Sequence, residues 1–202
     1  MPRMLGEAAG DREPAAPEIY GRRAIGRIVR HLPPVERAYS FARFMIMRPK
    51  ILSALDLLLP DRGRLLDLGC GFGLFAAYFG QTQPLREILG VDLDARRVRL
   101  AAHVAEKLGL AQHRFLVGDV RELDLTGTFD ACYVLDVMHH LPADKQLPVL
   151  ARLHQLLRPG GVVLIKDITT DARFGLLFTE VLDRMMVGFD ERAMDRALGQ
   201  AL

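Results

Sequence analysis

Tryptophan is absent from this chain and cysteine occurs only twice, at Cys70 and Cys132. Two thiols, one in a glycine-rich run and one in an apolar run, build no disulfide framework, so a reducing, cytoplasmic setting is expected. Long apolar runs are also missing. The longest uncharged stretch, residues 68–85, is broken by glycines, Gln81, Gln83 and Pro84, which makes it a poor membrane span. The first 17 residues mix Arg3, Glu7, Asp11, Arg12 and Glu13 with Pro14 and Pro17 and contain no apolar segment. That excludes a secretory signal and predicts a disordered tail over 1–17. His31, His103, His113 and His154 have no acidic or cysteine partners at ligand spacing, so no metal site is expected. Nucleic acid is not an expected partner either, because no second basic stripe alternates with aromatic residues that could stack on bases.

Apolar residues make up 50% of the 202, enough for one substantial core with extensions. The net charge of +2 hides an uneven distribution. Residues 20–50 hold eight basic side chains, Arg22, Arg23, Arg27, Arg30, Arg37, Arg43, Arg48 and Lys50, against the single acid Glu36. Such a patch either is a solvated helix face or meets an acidic carrier protein, anionic lipid headgroups or a phosphorylated acceptor, so peripheral membrane contact is one reading.

The most informative run is Leu65-Leu66-Asp67-Leu68-Gly69-Cys70-Gly71-Phe72-Gly73. Its leucines read as a short buried strand, and its alternating glycines permit positive φ and close approach of a ligand to the backbone. A dinucleotide fingerprint would need glycine or alanine at position 74, which is Leu74, and this argues against NAD. Ile88-Leu89-Gly90-Val91-Asp92 is a second strand ending in an acid 23 residues after Gly69, where a carboxylate can accept two hydrogen bonds from a ribose diol. Phe115-Leu116-Val117-Gly118-Asp119-Val120 reads as a third strand and residues 129–135 as a fourth, followed by Asp136-Val137-Met138-His139-His140-Leu141. Leu157-Arg158-Pro159-Gly160-Gly161 reads as a helix end and turn before a fifth strand, Val162 to Asp167.

These landmarks, in this order over residues 51–168, resemble the class I S-adenosylmethionine-dependent methyltransferases of the small-molecule type. The resemblance implies S-adenosyl-L-methionine as cofactor, with S-adenosyl-L-homocysteine as product. It implies a cofactor site made of Asp67, Gly69, Cys70, Gly71, Gly73, Asp92, Leu93, Gly118, Asp119, Val120 and Asp136. Asp92 would take the ribose hydroxyls and Asp119 the adenine amino group. Cys70 reads as a small filler of the loop, with no adjacent base to activate it.

Strands alternating with helices imply parallel pairing and a three-layer α/β/α sandwich with a Rossmann-like, mostly parallel sheet. Accessory helices are expected over 35–47 and 50–59 within a segment 18–60. The α/β core follows over 61–168, and a terminal helix and tail over 169–202. Asp94 is the expected cap of a helix ending before Gly109, and another helix is expected over 143–157. Only 34 residues follow Ile168, and they show no further strand pattern, so the family's last one or two strands are expected to be missing.

Methyl transfer from a sulfonium depends mainly on positioning. For an oxygen or nitrogen acceptor, His139 is the expected catalytic base, with His140 packed inward. Phe41, Phe44, Met45 and Met47 on one side, with Phe174, Leu177, Phe178, Leu182, Met185 and Met186 on the other, are expected either to cover a deformable acceptor pocket or to form core and dimer surface. The expected acceptor is a small, apolar or lipid-like molecule, free or presented on an acidic carrier.

Overall fold

A computed structural model describes residues 21–125 and 127–167. Three helices lead in: α1 (Gly21–Val29), α2 (Pro34–Met47) and α3 (Pro49–Leu58). Prolines at the first helical positions start α2 and α3, where the missing N–H costs nothing. The alternating core follows as β1 (Gly63–Leu68), α4 (Leu74–Thr82), β2 (Arg86–Asp92), α5 (Ala95–Leu108), β3 (Arg114–Val117), β4 (Phe129–Leu135), α6 (Ala143–Leu156) and β5 (Leu157–Lys166). The five strands lie in the order β3-β2-β1-β4-β5, and every pairing is parallel.

Alternate side chains of each strand feed opposite faces of the sheet. Leu65, Ile88, Ala131 and Tyr133 pack against α1 to α5, and Leu66, Val91, Cys132 and Val134 against α6 and the β3–β4 connection. The three-layer sandwich is therefore present. The Asp94 side chain accepts from the amides of Arg96 (2.7 Å) and Arg97 (3.2 Å), and Gly109 ends α5 at φ 73°, as cap chemistry dictates.

Two boundaries differ from expectation. α1 was not separately legible, and the turn expected before the fifth strand is taken into that strand. Leu157 already pairs with Phe129, and the next pair is Val162 with Ala131, so Arg158-Pro159-Gly160-Gly161 bulges out, with Gly160 at φ 79°. The expected tail at 1–17, the terminal helix and the missing strands all lie outside the described residues.

Arg86, fully buried, ties the accessory helices to this core. All five of its N–H groups are used: Nε to the Pro60 carbonyl (2.7 Å), Nη1 to the Asp56 carboxylate and the Phe79 carbonyl (3.2 Å), and Nη2 to the carbonyls of Asp56 (3.2 Å) and Leu59 (3.3 Å). The Asp56 carboxylate also accepts from the Thr82 hydroxyl at 3.0 Å.

Candidate active site

The strand order reverses between β1 and β4, and in an open parallel sheet a cleft opens at the carboxyl ends of the strands at such a point. Here it measures about 420 Å³ and is walled by the ends of β1, β2 and β4 and by α2. After β1 the chain turns through Gly69 (φ 74°), Gly71 (φ 53°) and Gly73 (φ 69°). The three glycines do different work. A Cβ on Gly69 would lie 2.4 Å from Val137, and one on Gly73 2.8 Å from Ala101, so these two permit packing. A Cβ on Gly71, which lines the cleft, would meet nothing within 4 Å. Gly69 and Cys70 donate their amides to the Val91 carbonyl at 2.8 and 3.1 Å, which fastens the loop to β2.

Asp92 stands on the cleft wall and also organises it. Its Oδ2 accepts from the Gly71 amide (2.8 Å) and its Oδ1 from the Asp94 amide (2.9 Å), which leaves further lone pairs on both oxygens. Leu93, Gly118, Val120 and Asp136 line the same cleft. Asp119 does too, but its carboxylate is gripped by the guanidinium and amide of Arg121, with Nε to Oδ2 at 3.0 Å and the amide to Oδ1 at 2.9 Å. The hydrogen bonds from Arg121 hold its carboxyl below the usual carboxylate range. Asp136 is buried at φ 56° and pairs with Arg43 of α2 (3.1 Å) and with the Lys166 ammonium of β5.

Asp67 does not reach the cleft. It lies buried beneath the glycine loop, where burial raises its carboxyl to about 8. The neighbouring Tyr133 hydroxyl works against that rise, the charge of Asp92 adds to it, and the Ala76 amide opposes it; Oδ2 nonetheless has no hydrogen bond of ordinary geometry. A folded-state value above the ordinary 3.8 means the fold binds this proton more tightly than the unfolded chain does. The stabilisation is complete below about pH 4 and is lost as pH rises toward 8. Asp67→Asn is expected to abolish that slope, so that in urea titrations the variant gains on the natural chain steadily across this interval. Parallel pH profiles for the two proteins would refute the buried acid.

Cys70 is buried in the cleft wall, and burial, with the charges of Asp67 and Asp92, pushes its thiol far up, so it is no nucleophile. Gly73 caps α4 behind the loop and is not on the wall.

The histidine pair departs from expectation. His139 Nδ1 lies 2.5 Å from Asp167 Oδ1, and its amide donates to Asp167 Oδ2 at 2.9 Å, which turns its ring off the cleft wall. His140, expected to pack inward, is exposed and lines the cleft, its ring 3.9 Å from that of His139. The expected aromatic and methionine cover is likewise not on the wall. Phe44 and Met47 belong to the core, while Phe41 and Met45 face outward; Tyr39 and Arg43 represent α2 in the cleft instead. The remainder of that cover, Phe174 to Met186, lies outside the described residues. Arg43 was the residue most easily missed. Its signal was position, because it shares the buried stripe of α2 with Glu36, Ser40, Phe44 and Met47. No group of histidine, cysteine and acidic side chains among the described residues could hold a metal ion.

A doubly wound sheet with a glycine-loop cleft at its switch point is the architecture in which open α/β folds bind nucleotide cofactors. Comparison makes this specific. Residues 65–161 match the family model described as a methyltransferase domain. Trans-aconitate 2-methyltransferase of Deinococcus radiodurans is 39% identical over 114 residues, covering 55% of this chain and 41% of the relative. Ubiquinone biosynthesis O-methyltransferase of Nitrobacter winogradskyi is 35% identical over 100 residues, 50% of this chain and 36% of the relative. Among solved structures, the S-adenosylmethionine-bound amino pentose methyltransferase of Micromonospora echinaspora superposes with a TM-score of 0.50 at 29% identity, covering 60% of this chain and 50% of that one. A Pyrococcus horikoshii protein shares the fold, with a TM-score of 0.56 at 23% identity over 82% of this chain and 67% of that one. Over residues 65–161, just under half of its length, the chain is similar to methyltransferase domains. It spans about two fifths of the length of the two curated relatives.

Proposed function

We propose that this chain binds S-adenosylmethionine in the cleft between β1 and β4 and passes its methyl group to a small acceptor of apolar or lipid-like character. The observation that carries the reading is the cradle at Gly71, where backbone faces free space beside a carboxylate that retains unused lone pairs. When bound, the cofactor supplies an electrophilic methyl group on a sulfonium whose departure needs no proton. The protein's part is to orient and to shield. In this reading Asp92, on the wall with lone pairs to spare, accepts from the ribose hydroxyls, and Gly118, Asp119 and Val120 of the same cleft meet the adenine. Leu68, Phe72, Leu135, Val137 and Leu141 make much of the wall apolar, which suits an apolar acceptor and the exclusion of water. The relatives' names point the same way only in part, since one acts in ubiquinone biosynthesis and the other on trans-aconitate.

Calorimetric titration with S-adenosylhomocysteine tests the binding. Heat of binding is expected, and Asp92→Ala should weaken it by about 1–3 kcal/mol through loss of charge-assisted hydrogen bonds. Tighter binding of NADH than of S-adenosylhomocysteine would overturn the reading.

For an acceptor that must lose a proton, we place the base in the pair His139 and His140, with His140 on the wall and His139 held by Asp167. With isotopically labelled donor and the acceptor identified by mass spectrometry, His140→Ala should lower kcat by about 100-fold at unchanged cofactor affinity. His139→Ala should lower it less. Full turnover in both variants would remove base catalysis from the scheme.

A further inference from the structure

Glu36 and Asp56 are the only acids between residues 21 and 60, and the fold spends both internally. Glu36 is buried against Arg96, and Asp56 is buried against Arg86. Of the eight basic side chains in the same segment, only Arg43 is drawn inside, to Asp136. The outer surface of the accessory helices therefore carries cations with no acid of their own segment to offset them, a more one-sided field than composition alone indicates.

These cations do not stand alone. On α2, Arg37, Phe41 and Met45 follow one another at intervals of four residues and form one outward stripe opposite the buried stripe of Glu36, Ser40, Arg43, Phe44 and Met47, and the exposed Arg48 follows directly after the helix ends. Phe41 is 56% and Met45 63% exposed. At the start of α3, Lys50 and Ile51 are exposed as well. Arg37 donates to the carbonyls of Arg30 and Leu32 and so keeps its full charge, and neither Arg48 nor Lys50 pairs with a described acid. No helix among the described residues is long and apolar enough to cross a membrane.

We propose that the outward stripe of α2 docks on the surface of an anionic lipid bilayer, with Phe41 and Met45 inserted at the headgroup boundary and the flanking arginines and lysine on lipid phosphates. Large apolar side chains bracketed by long cationic ones suit an interface where the stems lie in apolar surroundings and the heads in water. The absence of offsetting acids supplies the charge complementarity, and the same helix sets Tyr39 and Arg43 in the cleft, so the bilayer would adjoin the site.

The test is co-sedimentation of the full chain, without methyl donor, with vesicles of phosphatidylcholine alone or mixed with phosphatidylglycerol. Binding to the mixed vesicles only, weakening as salt is raised, is expected. Arg37→Gln with Arg48→Gln should weaken it about 25-fold, at about five-fold per charge near an anionic surface. Phe41→Ser with Met45→Ser should weaken it at constant charge, and circular dichroism checks that these exposed sites leave the fold intact. Equal binding to both vesicle types, or anionic binding indifferent to both pairs of substitutions, overturns the proposal. So does a chain that ignores vesicles while Phe41→Ser with Met45→Ser alters its oligomeric state, because the stripe would then be covered by a second copy. Since no donor is present, these outcomes stand apart from the methyltransferase reading.

Discussion

Replacing Arg86 with methionine is expected to lower folding stability by about 3–5 kcal/mol, the range seen when one partner of a buried ion pair is removed. Methionine fills much of the same volume, so the loss would come from polarity. The Asp56 carboxylate would be left with the Thr82 hydroxyl alone, and four carbonyls, those of Asp56, Leu59, Pro60 and Phe79, would lose a donor. For a chain of this size the melting temperature should fall by about 10 °C or more. Adding Asp56→Leu to the variant should recover part of the loss, because the stranded charge is then gone. Thermal denaturation of the two variants checks both statements, and an unchanged melting temperature in Arg86→Met would show that the guanidinium does not anchor α3 and α4 to the sheet.

Placing leucine at Gly71 is expected to lower kcat/KM by about 100-fold or more, the scale on which small displacements at a reacting centre are felt. The new side chain has room, since a Cβ there meets nothing within 4 Å, and the room it takes is that assigned to the cofactor. The cost to the fold is the strain of a non-glycine residue at φ 53°, of the order of 1 kcal/mol. Affinity for S-adenosylhomocysteine should therefore collapse while the melting temperature moves by a few degrees. Gly69→Ala should do the reverse, because its methyl would lie 2.4 Å from Val137 and force the loop apart. If Gly71→Leu bound S-adenosylhomocysteine as the natural chain does, the cofactor would not lie against this loop.

Much of the architecture was legible because it rests on local signals. Periodicity, Asp94 as a cap and Gly109 as a stop each act within a few residues of themselves, and they mark α2, α3, α5 and the strands. The turn at Arg158 to Gly161 was misread because pairing with Phe129 is a contact across the sheet that no local pattern contains. The same distinction runs through the candidate site. Acids at strand ends were visible as positions, and Asp92, Asp119 and Asp136 do meet in one cleft. The partners of Asp136 were not visible, because Arg43 and Lys166 come from an accessory helix and another strand.

By itself the sequence determined the alternation of strands and helices, the glycine loop and the acid that ends each neighbouring strand, because these depend on spacing along one chain. Only the tertiary structure decided which polar groups face inward. It buried Asp67 with its proton, put His140 rather than His139 on the wall, drew Arg43 to Asp136, and took Glu36 and Asp56 from the surface. The reason is physical: a charge leaves water only where a partner from a distant segment meets it, an acid without one keeps its proton, and either outcome exists only once the layers have packed.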